Sequence, residues 1–382
     1  MAPLRVVIVQ PSLAKYRVPV YRELAARPGI DLRVWYGDEP GIGAAEPDGF
    51  AAAEKPMTIR HVLGQEVRWH AAQLQAVGLD DADVVLLSWS SRYLSLLPAL
   101  AKARRRGMPT VLWGHGYSKG ETPTRRFVRD LFGKRATALL FYDRATADRA
   151  IADGWPEDRV YVAPNAIDQS PITAAIDQWR TPPDRLQAFA EEHDLKDAEP
   201  VVFLSRLLPE NRADLLIEAV AKLKDKRSNL VALIVGDGPA RGDLEQLAQR
   251  LGVADRVRMP GAIFDDTQLA PWMLMSRLFV YPANIGLSLL HAFGYGLPVI
   301  TSQDLAAQNP EIVALVDGKN GKLVPPDDAD AVAEAIDTLL SDPQRLAAMS
   351  AEAATTVRER FSLTAMVDGM QAALRAAAGI DS

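Results

Sequence analysis

Short apolar runs recur through the first 165 residues of the chain, and each is followed by a stretch with helical spacing. The runs cover residues 5–10, 30–36, 83–89, 110–113, 138–142 and 160–163. Amphipathic segments at 20–26, 93–106 and 144–152 lie between them. Continuously apolar strands alternating with amphipathic helices predict a parallel sheet covered on both faces. After Asn165 the rhythm breaks. Residues 169–198 contain Pro171, Pro182, Pro183 and the acidic run 191–194, which suggests a partly helical connection between domains. A second alternating series starts at Pro200, with strands at 201–205, 230–236, 256–259, 278–281 and 299–301. Its helices fall near 213–224, 241–251, 287–295 and 329–340. Residues 343–378 are Ala-rich and helical, with a break at Phe361-Ser362.

The expected organisation is therefore a first α/β domain over 1–168, the connection over 169–198 and a second α/β domain over 199–360. A terminal helix within 361–382 is expected to pack back toward the first domain. Open parallel sheets bind ligands beyond the carboxyl ends of their strands, so the chemistry is sought in the loops that follow each run.

The length of 382 residues agrees with two domains. Apolar residues make up 48% and charged residues 24%, the composition of a globular protein rather than a disordered or fibrous one. The chain has no cysteine, which excludes disulfides, thiolate metal ligands and a thiol nucleophile. A net charge of −6 argues against bulk nucleic-acid binding. The apolar stretch at Val6–Val9 ends at Gln10-Pro11, too short for a signal sequence, and no run reaches the ~20 residues that span a bilayer. The expected location is the cytoplasm, including the inner face of a membrane.

Four loops carry candidate chemistry. Gly236-Asp237-Gly238-Pro239 follows a strand, where glycines admit a ligand close to the backbone or simply make a turn. Arg206 also follows a strand, and its guanidinium can grip phosphate bidentately or sit in solvent. The run from Tyr281 to Ile300 reads as strand, glycine loop, helix and next strand. Its N–H groups near Gly286, Leu287 and Ser288 can meet a phosphate, and His291 lies on the helix. His115 stands between Gly114 and Gly116 at a strand end, where it could act as acid, base or hydrogen-bond donor, or serve only the turn.

In order and spacing these elements resemble the family 4 glycosyltransferases, retaining enzymes of the GT-B fold with two Rossmann-like parallel-sheet domains facing a central cleft. The resemblance runs along most of the chain and is strongest over residues 200–330. It rests on Ser205-Arg206-Leu207 with the helix after it, Gly236–Pro239, Gly261, the glycine loop at Gly286 and Gly294–Ile300. Pro310–Val313, Gly318, Asn320-Gly321 and Leu323–Pro325 extend it, with Trp113–Gly116 and Val162–Asp168 in the first half. The resemblance implies a nucleoside diphosphate sugar as co-substrate, bound by the second domain, with no cofactor and no metal. Arg206 would hold the diphosphate and share the catalytic role with His115. Gly236 and Gly238 would lie by the nucleoside, and Gly286, Leu287 and Ser288 would hold phosphate and sugar.

Three positions depart from the family pattern. The two glutamates that flank the glycine loop are Ala283 and His291 here, and the diphosphate-binding lysine is Asn211. His291 would then meet the ribose, Asn284 the transferred sugar, and Arg212 would supply the missing positive charge. Two other readings stay open: a catalytically silent nucleotide-sugar-binding partner of another transferase, and a GT-B nucleotide-sugar epimerase.

The first domain would bind a glycan or lipid-linked acceptor, with Lys15, Tyr16 and Arg17 meeting an anionic group. Residues 101–136 hold ten basic residues against Glu121 and Asp130, with Phe127, Val128, Leu131 and Phe132 interleaved. Such a stretch suits an anionic membrane surface or a solvated helix face. The setting implied by the family is bacterial polysaccharide or glycoconjugate assembly. Trp69, His70 and Trp89 are expected in the core or the cleft wall.

Overall fold

A computed structural model describes residues 2–40, 44–62, 64–117, 122–182 and 184–380. Lys119 and Glu121 of the basic region and Pro183 of the connection lie outside these. The chain divides into two compact units, Met1–Ile167 with Ser362–Ser382, and Asp168–Phe361.

The first unit opens with β1 (Leu4–Gln10), α1 (Val18–Ala25), β2 (Ile30–Tyr36) and β3 (Ala51–Glu54). A hairpin, β4 (Thr58–Val62) and β5 (Gln65–Trp69), precedes α2 (Ala71–Ala76), β6 (Val84–Ser88) and α3 (Leu96–Arg106). Then come β7 (Thr110–Gly114), α4 (Pro123–Gly133), β8 (Ala138–Phe141), α5 (Arg144–Ala152) and β9 (Val160–Val162). Seven strands form one parallel sheet in the order β3-β2-β1-β6-β7-β8-β9. Val6 and Ile8 point to one core and Val7 and Val9 to the other, as expected of a strand buried on both faces.

The second unit begins with α6 (Ser170–Arg180) and α7 (Asp184–Glu192). It continues with β10 (Glu199–Leu204), α8 (Ala213–Leu223), β11 (Leu230–Val235), α9 (Arg241–Arg250), β12 (Val257–Gly261) and α10 (Asp266–Met275). β13 (Leu278–Val280), α11 (Ser288–Gly294), β14 (Val299–Ser302), β15 (Gly321–Val324), α12 (Ala329–Leu340) and α13 (Pro343–Arg360) complete it. Its sheet is parallel, in the order β12-β11-β10-β13-β14-β15.

Residues 169–198 form α6 and α7, which pack on α10 within this unit. The contact is aromatic: Phe189 meets Trp179 at 5.7 Å and Trp272 at 4.9 Å, both edge to face.

The last helix, α14 (Leu363–Ala377), belongs to the first unit. Met366, Val367, Met370, Ala373 and Leu374 repeat at helical spacing and are buried with Val6, Ile8, Leu86 and Val111. A Cβ at Gly369 would overlap the Val162 carbonyl oxygen, so glycine is what lets the helix lie against β9.

Both sheets reverse their winding direction once, between β1 and β6 and between β10 and β13. Crevices open at such reversal points beyond the carboxyl ends of the strands. This directs attention to the loops after β10 and β13 in one unit, and after β1 and its neighbours in the other.

Candidate functional site

In the second unit the loop after β10 carries Ser205 and Arg206. Arg206 is exposed, and its guanidinium makes no hydrogen bond or ion pair among the described residues. The loop after β13 carries Asn284, Gly286 and Leu287 and leads into Ser288 of α11. The backbone N–H groups of Gly286, Leu287 and Ser288 donate to none of the described groups. One cation and three unpaired amides therefore stand beyond the ends of two adjacent strands at the reversal point, the donor set an oxyanion requires.

A chain of neutral side chains ties these loops together. Asn211, 3% exposed, donates from Nδ2 to the Arg206 carbonyl at 2.8 Å and to Ser205 Oγ at 3.4 Å. Its Oδ1 accepts from Asn284 Nδ2 at 3.2 Å. Asn309 Nδ2 donates to the Asn284 carbonyl at 3.0 Å, and Gln308 Oε1 accepts from the Ile285 N–H at 2.7 Å. Tyr281 donates its hydroxyl to Ser205 Oγ at 3.0 Å, and burial pushes that phenol above its ordinary range. Asn284 sits in the left-handed region at φ 61°, tolerable for an amide side chain. Glu311 follows Asn309 in a 3-10 turn and is itself buried.

The sequence missed Tyr281, Gln308, Asn309 and Glu311 as site residues. The recurrence of Asn and Gln in the loops at 211, 284 and 308–309 was the available signal.

Three expectations change. Arg212 does not offer its charge to a ligand: it is bound to both carboxylate oxygens of Asp214 near 3.0 Å and also pairs with Asp327. It caps α8 at φ 55°, which turns its side chain to those acids. Gly236 and Gly238 serve a close approach of the chain's own backbone. Their faces are filled by the chain itself, since a Cβ at Gly236 would overlap the Ser205 carbonyl oxygen and one at Gly238 would lie 2.5 Å from that of Leu207. Bonds from Leu207 N–H to the Asp237 carbonyl (2.9 Å) and from Ala240 N–H to the Leu207 carbonyl (3.0 Å) fix that approach. The glycine turn thus positions the Arg206 loop. His291 places Nε2 3.3 Å from Asp266 Oδ1, without a well-aligned hydrogen bond, and stacks on Tyr295 with ring centroids 5.6 Å apart. It links α11 to α10.

In the first unit His115 is exposed on a tight turn after β7, closed by the Tyr117 N–H donating to its carbonyl at 2.7 Å. Gly116 is at φ 67°, and a Cβ there would overlap the Phe141 ring. The His115 ring lies 4.8 Å from that of Tyr142, which in turn meets Trp113 at 5.4 Å. Lys15 and Tyr16 are exposed on a 3-10 turn after β1, but Arg17 is not at a rim: it is 8% exposed. Its guanidinium carbon lies 4.6 Å from the Trp113 ring centre and 5.4 Å from that of Tyr142, and it donates to Met366 Sδ at 3.5 Å. Arg17 and His115 therefore share the Trp113–Tyr142 aromatic wall.

The basic region is not one solvated face. Arg129 is buried against the Tyr117 ring at 4.5 Å, Lys102 donates to the Leu74 carbonyl, and Arg106 pairs with Asp80. Burial and the Asp153 carboxylate push the Tyr117 phenol up to about 12. Phe132 is buried while Phe127 on α4 is 67% exposed. His70 and Trp89 are buried, but Trp69 is 44% exposed. Among the described residues no group of three or more His, Asp or Glu is arranged to hold a metal, and no helix is long and apolar enough to cross a membrane.

Comparison with known proteins matches residues 185–356 to the family described as glycosyl transferases group 1, and residues 20–170 to glycosyltransferase family 4. A GDP-mannose-dependent alpha-(1-6)-phosphatidylinositol monomannoside mannosyltransferase of Mycolicibacterium smegmatis is 28% identical over 325 residues, 82% of this chain and 81% of the relative. A D-inositol 3-phosphate glycosyltransferase of Frankia alni is 31% identical over 287 residues, 68% and 67% of the two chains. Among solved structures, Anabaena HepE in complex with UDP superposes with a TM-score of 0.71 at 18% identity, covering 96% of this chain and 98% of HepE.

Proposed function

The chain belongs to the family 4 glycosyltransferases, enzymes of the GT-B fold, and we propose that it moves a hexosyl group from a nucleoside diphosphate sugar to an anionic glycan or lipid-linked acceptor. The observation that carries this is the pairing of Arg206 with the unpaired Gly286, Leu287 and Ser288 amides across the β10–β13 reversal point. In the transfer the bond from the anomeric carbon to the diphosphate oxygen breaks and one to an acceptor oxygen forms. Negative charge builds on the departing diphosphate, and a guanidinium with fixed amide donors stabilises it. We propose that the transfer uses no cofactor and no metal and proceeds with retention, by family analogy.

GDP-mannose is the donor we propose, because two relatives that cover 82% and 83% of the chain are GDP-mannose-dependent by name. The acceptors those names give, a phosphatidylinositol monomannoside and an inositol phosphate, both carry phosphate. That supports an anionic acceptor held at the exposed Lys15 and Tyr16 beside His115, with Arg17 buried behind them. His115 would orient the acceptor by hydrogen bonding. A lipid acceptor favours work at the inner face of a membrane, with exposed Phe127 and the arginines beside it on α4 against anionic headgroups, in assembly of a bacterial polysaccharide or glycoconjugate.

The test is a thermal-shift and hydrolysis screen over GDP-, UDP- and ADP-sugars. Stabilisation by GDP-mannose with slow release of GDP is expected. R206A should lose the shift, whereas H115A should keep it and lose turnover. A shift without release of nucleoside diphosphate would leave the silent-partner reading, and no shift with any donor or nucleoside diphosphate would refute the donor assignment.

A further inference from the structure

We propose that Phe264 is the platform on which the donor's nucleobase stacks, an inference that rests on the donor assignment above. Phe264 is 85% exposed, the most exposed large apolar side chain among the described residues. It packs against almost nothing, so it adds little to the stability of the fold, yet the loop that carries it is anchored on both sides. Its loop runs from the carboxyl end of β12 to the start of α10. On one side the Gly236 N–H donates to the Gly261 carbonyl at 2.9 Å, tying the loop to the glycine turn beneath Arg206. On the other, Asp265 caps α10 by accepting from the Gln268 N–H at 3.0 Å, and Asp266 faces His291 of α11. A bare aromatic face is thus displayed on an anchored loop.

The placement suits a nucleotide. β12 is two strands from β10, where Arg206 and the β13 loop would hold the diphosphate. Two strand spacings are about 9.6 Å, a separation on the scale of the nucleoside between diphosphate and base. An aromatic face stacks on any base, so Phe264 would raise affinity without choosing among bases.

The experiment is calorimetric titration of the full chain and of F264A and F264Y with GDP, UDP and inorganic pyrophosphate. For F264A, Kd for both nucleoside diphosphates is expected to rise about tenfold or more while that for pyrophosphate stays unchanged; F264Y restores the wild-type value. Unchanged nucleotide affinity in F264A would overturn the platform and leave the donor assignment standing. A parallel loss of pyrophosphate binding would also overturn it, by showing a distorted loop. A wild-type chain that binds neither GDP nor UDP would remove the donor assignment and the platform together.

Discussion

Replacing Asn211 tests whether a neutral amide does the work a lysine does in the family pattern. Asn211→Ala deletes the bonds to the Arg206 carbonyl, Ser205 Oγ and Asn284 Nδ2. Each such bond contributes about 0.5–1.5 kcal/mol, and the buried partners left behind add to the loss. A destabilisation of roughly 2–4 kcal/mol follows, or a fall of roughly 5–15 °C in the melting temperature of a unit of this size. The functional loss should be larger. The Arg206 loop would lose its tie to the β13 loop, and a misplacement of about 1 Å at a reacting centre costs about 10²-fold in rate. Asn211→Lys separates charge from geometry. Its ammonium can donate to the Arg206 carbonyl but cannot accept from Asn284, and it is buried without a counter-ion. N211K should therefore melt below wild type when empty and recover more than wild type does on adding GDP. Calorimetric melting with and without GDP, beside kcat/KM for the preferred donor, reads both effects. If N211A melts within a degree of wild type and keeps half its activity, the network is not what holds Arg206.

Gly236→Ala should fold but lose about 10²-fold in kcat/KM, because the new methyl displaces the Ser205 carbonyl and Arg206 with it; unchanged kinetics would show the loop yields freely. Asp337 accepts from Lys226 Nζ at 2.5 Å and Arg227 Nε at 2.8 Å, contacts that hold its carboxyl below the usual range. A depressed folded pKa gives stability that is present above the unfolded value of about 4 and lost as pH falls through the folded one. The stability gap between wild type and D337N in urea melts should thus be full at neutral pH and close in acid; a gap independent of pH would refute this. The full chain should sediment with vesicles rich in anionic lipid at low salt and release as salt rises, with F127E weakening the binding; equal sedimentation of F127E would remove α4 as the docking element.

The parallel sheets were legible because strands buried on both faces are continuously apolar, as at Leu230–Val235, and the terminal helix because its apolar spacing is regular. The β4–β5 hairpin was not legible. Its residues are exposed or half-buried on both faces, so no alternation marks it. Arg206, Asn211, Asn284 and the Gly286 loop could be listed as candidates from order and spacing, and the structure places them on adjoining loops. What the string of residues could not convey was direction. Arg212 lies next to Asn211 in the chain, yet its left-handed backbone turns it to Asp214 and Asp327. Arg17 lies next to Lys15 and Tyr16, yet it is folded under Trp113. The glycines at 236 and 238 signalled a close approach, and the approaching group proved to be the chain's own backbone.

That last point changes how the departures from the family pattern weigh against activity. Losing two glutamates and a lysine removes charges that must otherwise be balanced or solvated when the site is empty. Here Asn211, Asn284 and Asn309 bond to one another and Gln308 accepts from the Ile285 N–H, across three loops. A satisfied neutral network in a low-dielectric site holds its geometry without a ligand. With Arg212 committed to its acids, the positive charge this loop offers is that of Arg206, and its position depends on the glycine turn below and the amide network beside it. Donor binding and turnover should therefore respond as strongly to uncharged residues that touch no donor as to Arg206 itself, a pattern that a decayed site, with nothing left to position, would not show.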